Sequence, residues 1–371
     1  MIKGPGILRE QNQKKILSLL RKYKQTSRKD LASMMGVSKN TVSIIVDQYI
    51  SAGVIREVGV NDIQKVGRPK ILLELNEDAY NAIGLVIHHN GIEYVVTNYS
   101  LNVIREGFET IDCMDATYVC NQIIRIVSAL LDEYSNVLGV GIGVPGIVNS
   151  REGIVYESTN LQWKNVNISE LLKYSISLPI IIQNSVKIAS LCSNVLEEDF
   201  SNSSFFYIRI GDGIGGAFIN DGDIWNGESF TSGEIGHISV DPSGALCGCG
   251  QKGCLEKLIS EKAFREWLSN LEKGIIKLSE VEKNRKIEET LDKYGSYLAV
   301  SLISIFNIIN PGKIVIDSPY NQYEVFQTSL KNYLGRNALK IPYSNTQIIF
   351  NEEPYSLLLG AATAVILNFE K

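Results

Sequence analysis

GEIGHISVDPSGALCGCGQKGCLE, residues 233–256, gathers one of the chain's three histidines and three of its six cysteines into a single short stretch. The spacing His237-x9-Cys247-x-Cys249-x4-Cys254 offers one imidazole and three thiolates, enough to close a tetrahedral zinc site. A DNA-reading zinc finger expects paired cysteines, or a histidine pair after a helix, and neither occurs here. A redox device wants Cys-x-x-Cys beside a thioredoxin-like pattern, also missing. Buried thiols with no joint task are the plain alternative, but the interleaved glycines free the loop to draw the four side chains together. The stretch reads as a metal loop, so any contact with nucleic acid must be sought elsewhere.

Charge shows where. Residues 1–70 carry fourteen Lys or Arg against five Asp or Glu, a net of +9, and the remainder carries −14 within an overall −5. A basic module on an acidic body points to a polyanion met by the first seventy residues. Ile16, Leu17, Leu19 and Leu20 sit at helical spacing. "TSRKDLASMMGVSKNTVSIIVDQYISAGVIREVG" (26–59) then reads as helix, turn and helix. Ser27 and Ser38 are caps, Gly36 is the turn, and Val42, Ile45, Val46 and Tyr49 face inward. The outer, N-terminal side of the last helix keeps Lys39, Asn40, Thr41 and Ser43, short polar groups and a cation suited to a major groove. "VIREV" and "KILLEL" flank a basic tip holding Lys65, Arg68 and Lys70, which reads as a wing. The whole is expected to be a winged helix-turn-helix over residues 1–77. Ser27, Ser38, Lys39, Asn40, Thr41, Ser43, Lys65, Arg68 and Lys70 are its candidate DNA contacts.

At 371 residues and 44% apolar, the chain is long enough for two or three globular domains. The N-terminus has no apolar signal-peptide core and no run reaches the ~18 apolar residues of a membrane span, so a cytoplasmic location is expected. Cys113, Cys120 and Cys192 are scattered and do not form a secreted disulfide framework. From about residue 78, strand triplets followed by helices occur twice, which implies an α/β body of two lobes with a cleft.

"GVGIGVPGIV", "YIRIGDGIGGAFINDGDIWNG", "SGEIGH", "CGCGQKGCLE" and "LLLGAATAVIL" occur in order and at sensible spacing. Together they resemble the ROK family of sugar kinases and sugar-responsive repressors, whose repressor branch, including xylose repressors, carries an N-terminal winged helix-turn-helix. The resemblance implies an actin-like (ribonuclease-H-like) body with sugar between lobes of about 78–183 plus the C-terminal helix, and 184–355. It implies that His237, Cys247, Cys249 and Cys254 hold structural zinc, and that Gly146, Asn184, Glu234, His237 and Glu256 meet the sugar.

Kinase chemistry asks for more. Family kinases place an Asp directly after the Asn, as the base that takes the sugar hydroxyl's proton, and here Ser185 stands there. The first phosphate loop is also altered, with Val86 at its Asp position and His88 and His89 at its glycines. Asp317 and Ser318 replace a late Gly-Gly, where a carboxylate would repel phosphate. "GDGIGG" alone keeps a phosphate-binding shape, with Asp212 where the kinases often have Thr. The expected function is therefore a non-enzymatic, sugar-responsive repressor that binds duplex operator DNA as a homodimer or higher homo-oligomer. Its effector would be a sugar or phosphosugar. The rivals are a ROK sugar kinase with a DNA-binding arm, and a repressor that has lost ligand control.

Overall fold

Ile16, Leu17, Leu19 and Leu20, apolar at helical spacing, are all buried in the second half of α1 (Pro5–Tyr23). The structure is a computed structural model that describes residues 5–61, 70–196, 204–271, 285–351 and 356–370. After β1 (Thr26–Ser27), helix α2 (Arg28–Met35) begins where the Ser27 hydroxyl accepts the Asp30 N–H at 3.3 Å. It ends at Gly36, whose φ of 66° is left-handed and costs any residue with a Cβ. The Ser38 hydroxyl then accepts the Thr41 N–H at 3.1 Å and starts α3 (Lys39–Ser51). Leu31, Val42, Ile45 and Val46 close the space between the helices. Arg28 reaches both Asp47 of α3 and Glu57 of β2 (Ile55–Asn61). Strand β3 (Lys70–Leu75) pairs antiparallel with β2 and β1, giving the order β1-β3-β2. This is the expected winged helix-turn-helix. Lys65 and Arg68, at the expected wing tip, lie outside the described residues, as does the side chain of Lys70.

The body begins with three antiparallel strands, β4 (Asn81–His88), β5 (Gly91–Asn98) and β6 (Val103–Thr110). Helix α4 (Ala116–Glu133), capped by Asp115, crosses to β7 (Val137–Val144), which lies parallel to β4. A small sheet of β8 (Ile147–Asn149), β9 (Ile154–Ser158) and β10 (Trp163–Asn167) follows. Helix α5 (Ile168–Leu172) leads to β11 (Ile180–Asn184), parallel to β7, and α6 (Ser185–Leu196). The large sheet runs β11-β7-β4-β5-β6.

The same plan recurs. An antiparallel triplet, β12 (Phe205–Ile210), β13 (Ile214–Asn220) and β14 (Asp223–Trp225), precedes α7 (Leu255–Ile259), α8 (Glu261–Leu271) and α9 (Arg285–Ile308). Then β15 (Lys313–Asp317) lies parallel to β12. After α10 (Glu324–Asn337) and α11 (Lys340–Asn345), β16 (Gln347–Asn351) lies parallel to β15. The sheet order is β14-β13-β12-β15-β16, so each sheet reads 3-2-1-4-5 when its strands are numbered along the chain. Helical crossovers are what parallel neighbours require, and antiparallel triplets need only turns. The repeated order is the actin-like, ribonuclease-H-like plan. The last helix is α12 (Ser356–Phe369).

Two compact units result: Met1–Ser201 with Tyr355–Lys371, and Asn202–Pro354. The division between lobes falls at 201/202 rather than the expected 183/184, because α6 stacks on α12, the Gly360 Cα lying against the α6 backbone. The winged module joins the first unit. One buried cluster runs from Ile16, Leu17 and Leu20 through Tyr99 to Leu358, Ala362 and Val365.

Candidate functional site

Within the second unit, the chain turns through a short 3-10 segment, Ile235–His237, loops outward and returns into α7. Ser239 bridges Cys254 and Leu246 bridges Lys252, both antiparallel, while the Ser239 hydroxyl donates to the Lys252 carbonyl at 2.7 Å. Gly253 has φ 66°, and a Cβ there would lie 1.6 Å from the Asp241 carbonyl oxygen, so only glycine lets the two strands of the loop pass. These pins set the ligand atoms of His237, Cys247, Cys249 and Cys254 within 4.8 Å of one another. Cys249 Sγ is 3.5 Å from Cys254 Sγ, and Cys247 Sγ is 3.7 Å from His237 Nδ1. A tetrahedral ion with sulfur bonds of about 2.3 Å spaces its sulfurs about 3.8 Å apart, so the donor set fits a metal ion. Burial, with the neighbouring thiols, pushes the Cys254 thiol up to about 12, whereas the Gln251 backbone N–H draws the Cys249 thiol down. A divalent cation held there would supply charge opposing thiolates.

Glu234 and His237 bracket the 3-10 turn, the His237 N–H donating to the Glu234 carbonyl at 3.1 Å. Glu234 is exposed and His237 half-buried. Glu256 stands in the first turn of α7, fastened to the metal loop by the Leu255 N–H on the Ile238 carbonyl at 2.9 Å. Its Oε2 accepts the Ile214 N–H at 2.8 Å. The glycine turn preceding Ile214 thus gives an amide to a protein carboxylate. The same turn is tied twice more: Asp212 pairs with Arg265, and the Gly211 carbonyl accepts the Glu261 N–H at 2.8 Å. Asp317, expected to repel phosphate, is met by the Arg209 guanidinium and by the Tyr207 hydroxyl at 2.5 Å, so its charge is offset inside its own unit. Burial alone would pull the Arg209 guanidinium down, yet Asp317 and Tyr207 hold it above its ordinary value.

In the first unit, Asn184 closes β11. Its Nδ2 donates to the Gly146 carbonyl at 2.8 Å, and its Oδ1 accepts the N–H groups of Val186 and Lys187 at 2.9 and 3.0 Å. Gly146 and Asn184 are thereby held together. Ser185 follows, half-buried at the first position of α6. Of the residues expected in a first phosphate loop, Val86 is 1% exposed inside the sheet, and His88 Nε2 lies 3.0 Å from Glu93 Oε2.

On the winged module, Lys39 and Asn40 are exposed, and Ser38 is exposed while its hydroxyl caps α3. Thr41 and Ser43 are half-buried, with Thr41 Oγ1 2.8 Å from the Ser38 hydroxyl. Ser27 does not belong with them. It is 3% exposed and its hydroxyl is engaged with Asp30 at 2.7 Å, because a cap between a core strand and a core helix points inward. Two outward residues escaped the sequence reading: Ile44, 50% exposed, and Gln48. Their signal was the four-residue step from Asn40, which repeats at both.

Comparison with known proteins adds three likenesses. The xylose repressor of Caldicellulosiruptor bescii is 24% identical over 388 residues, spanning 97% of this chain and 96% of that protein. The crystal structure of a ROK family transcriptional regulator, a homolog of the E. coli MLC protein, superposes with a TM-score of 0.80 at 21% identity, covering 98% of this chain and 97% of that one. A ROK hexokinase from Thermus thermophilus superposes with a TM-score of 0.65 at 21% identity, covering 99% of its own chain but 78% of this one. A winged helix-turn-helix DNA-binding profile matches residues 9–56. The ROK family profile matches residues 90–362, spanning the second sheet, the Cys/His loop and all of the first sheet but β4, and the chain belongs to the ROK family.

Proposed function

We propose that the chain is a sugar-responsive transcriptional repressor. Its winged helix-turn-helix binds duplex operator DNA and its ROK body binds a sugar or phosphosugar. The observation that carries this reading is α3, capped by Ser38 and presenting Lys39 and Asn40 outward, on a chain whose body belongs to a family of sugar proteins. Release follows when the sugar prefers the conformation that holds the operator less well. Gly146, Asn184, Glu234, His237 and Glu256 are the proposed sugar contacts. Zinc on His237, Cys247, Cys249 and Cys254 serves as a structural crosslink that fixes the His237 ring. A two-fold operator calls for a homodimer at least, and no helix among the described residues is long and apolar enough to cross a membrane. With that, a cytoplasmic setting suits the proposed role.

Phosphoryl transfer is not part of the proposal. The Ser185 hydroxyl has no pKa suited to take a proton from a sugar hydroxyl, and the glycine turn is engaged by Glu256, Asp212–Arg265 and Glu261. A neutral residue at 185 also suits an anionic effector better than an Asp would. The test is fluorescence anisotropy of the full-length chain on its own promoter DNA, with sugars and phosphosugars titrated in. One of them is expected to change operator affinity at least fivefold, and Glu256→Gln to abolish the response while operator binding without sugar persists. Operator binding indifferent to every sugar, or sugar phosphorylation faster than ~1 s⁻¹ in a coupled assay, would overturn the reading.

A further inference from the structure

The outward face of α3 carries more chemistry than a cap and a cation. Asn40, Ile44 and Gln48 are all exposed and stand four residues apart, so they form one stripe that drifts slowly round the helix and rises about 12 Å from end to end. That length matches three to four base-pair steps of about 3.4 Å each. Ile44 is the unusual member. Half of an isoleucine faces solvent at the centre of a helix whose neighbouring apolar residues, Val42, Ile45 and Val46, are buried to 2% exposure or less.

Two neighbouring polar groups on the helix are engaged elsewhere. Asp47 is paired with Arg28. The Thr41 hydroxyl lies on the Ser38 hydroxyl at 2.8 Å. Lys39 is the helix's single cation and occupies its first position, where free backbone N–H groups and the helix dipole already favour a phosphate. The helix therefore has no arginine to take the two acceptors of guanine. It offers two carboxamides, which match the donor–acceptor pair on the major-groove edge of adenine, and between them an apolar surface that matches the C5-methyl of thymine.

We infer that α3 reads A·T pairs: Asn40 and Gln48 each take an adenine edge, and Ile44 packs on a thymine methyl between them. The inference rests on the regulator reading above and names the specificity of that same surface. The half-site facing α3 is a run of A·T pairs, and sequence choice there depends on a methyl group as well as on hydrogen bonds.

The test begins by selecting bound duplexes from a random-sequence library with the zinc-loaded full-length chain. Half-sites with A·T at the three helix-facing positions are expected. In the selected site, each thymine is then replaced by deoxyuridine, which keeps every hydrogen bond and removes only the methyl. Wild-type affinity should fall roughly fourfold at one position, the scale of exposing about one buried methyl. Ile44→Ala should bind thymine and deoxyuridine sites equally. Asn40→Ala should lose about tenfold and relax choice at its own position. Because Ile44 is half exposed, Ile44→Ala should melt with the wild type, so a loss of discrimination is not a loss of folding. G·C pairs selected at those positions, or an undiminished deoxyuridine penalty in Ile44→Ala, would overturn the inference while leaving the regulator intact. Retention of no duplex at all would overturn the regulator reading and this one with it.

Discussion

Glu370→Gln would leave a guanidinium stranded. Arg21 of α1 meets both carboxylate oxygens of Glu370, with Nη1 at 3.2 Å from Oε2 and Nη2 on Oε1, and the two side chains are 6% and 2% exposed. The Tyr99 hydroxyl donates to the same carboxylate at 2.6 Å, and the guanidinium lies 5.0 Å from the Tyr99 ring centre. Burial alone would lower the Arg21 pKa, but the charge and hydrogen bonds of Glu370, with Tyr99, hold it above its ordinary value. Tyr49 of α3 also senses this group: burial, then the Glu370 charge, pushes its hydroxyl up to about 12. Glutamine keeps the shape and an acceptor for Tyr99 but removes the charge.

Breaking a buried pair from one side costs about 3–5 kcal/mol, a large part of the 5–15 kcal/mol that holds a typical protein folded. A group raised in the folded state gives stability fully present below its unfolded pKa, so the loss should be constant between about pH 6 and 9. Arg21→Met added to Glu370→Gln removes the orphan charge and should recover most of the loss. Urea unfolding followed by circular dichroism, across the four corners of the cycle, measures each value. A loss below about 1 kcal/mol for Glu370→Gln, as for an exposed pair, would refute the reasoning. So would a double variant as unstable as the sum of its parts.

The purified protein should hold about one zinc per chain by elemental analysis. Cys254→Ser should lose it and lower the melting temperature by several degrees, each kcal/mol shifting it by roughly 2–4 °C. A folded, metal-free wild type with an unchanged transition would dispose of the crosslink. Gly253→Ala, with its Cβ driven against the Asp241 carbonyl at φ 66°, should cost at least about 1–3 kcal/mol and speed zinc loss to a chelator. Gly248→Ala, with nothing within 4 Å of its Cβ, should match the wild type in both assays. Ser185→Asp should leave sugar phosphorylation below ~1 s⁻¹, because the glycine turn stays engaged by Glu256 and Arg265, and faster turnover would show that the base alone was missing.

The parts of the molecule written in local chemistry were legible beforehand. Ser38 and Gly36 announce their helix ends by cap and turn, and β4 to β6 by length and turn signals. The Cys/His cluster announces itself by residue types and spacing. Contacts of long sequence separation were not legible. Arg21 and Glu370 stand 349 residues apart, and nothing in either neighbourhood names the other. The same holds for α12, whose return onto α6 moves the division between units to 201/202. The strands β8, β9 and β10 are three to five residues long with mixed burial, too short for a two-residue period to show. A cap's signature does not say whether the serine faces solvent, and Ser27 is 3% exposed. The outward place of Ile44 is not legible either, since its neighbours Val42, Ile45 and Val46 are all core.

The cluster that joins Ile16, Leu17 and Leu20 to Leu358, Ala362 and Val365 sets a clock on biosynthesis. The winged module leaves the ribosome more than two hundred residues before the helix that completes its packing. At roughly 5–20 residues per second, that interval is on the order of half a minute. During it the module exposes the apolar side of α1, and Arg21 lacks the carboxylate that will neutralise it. A translation product broken off before α12 therefore carries a DNA-reading helix without its anchor. The packing of the winged module is complete only when the far end of the message has been read.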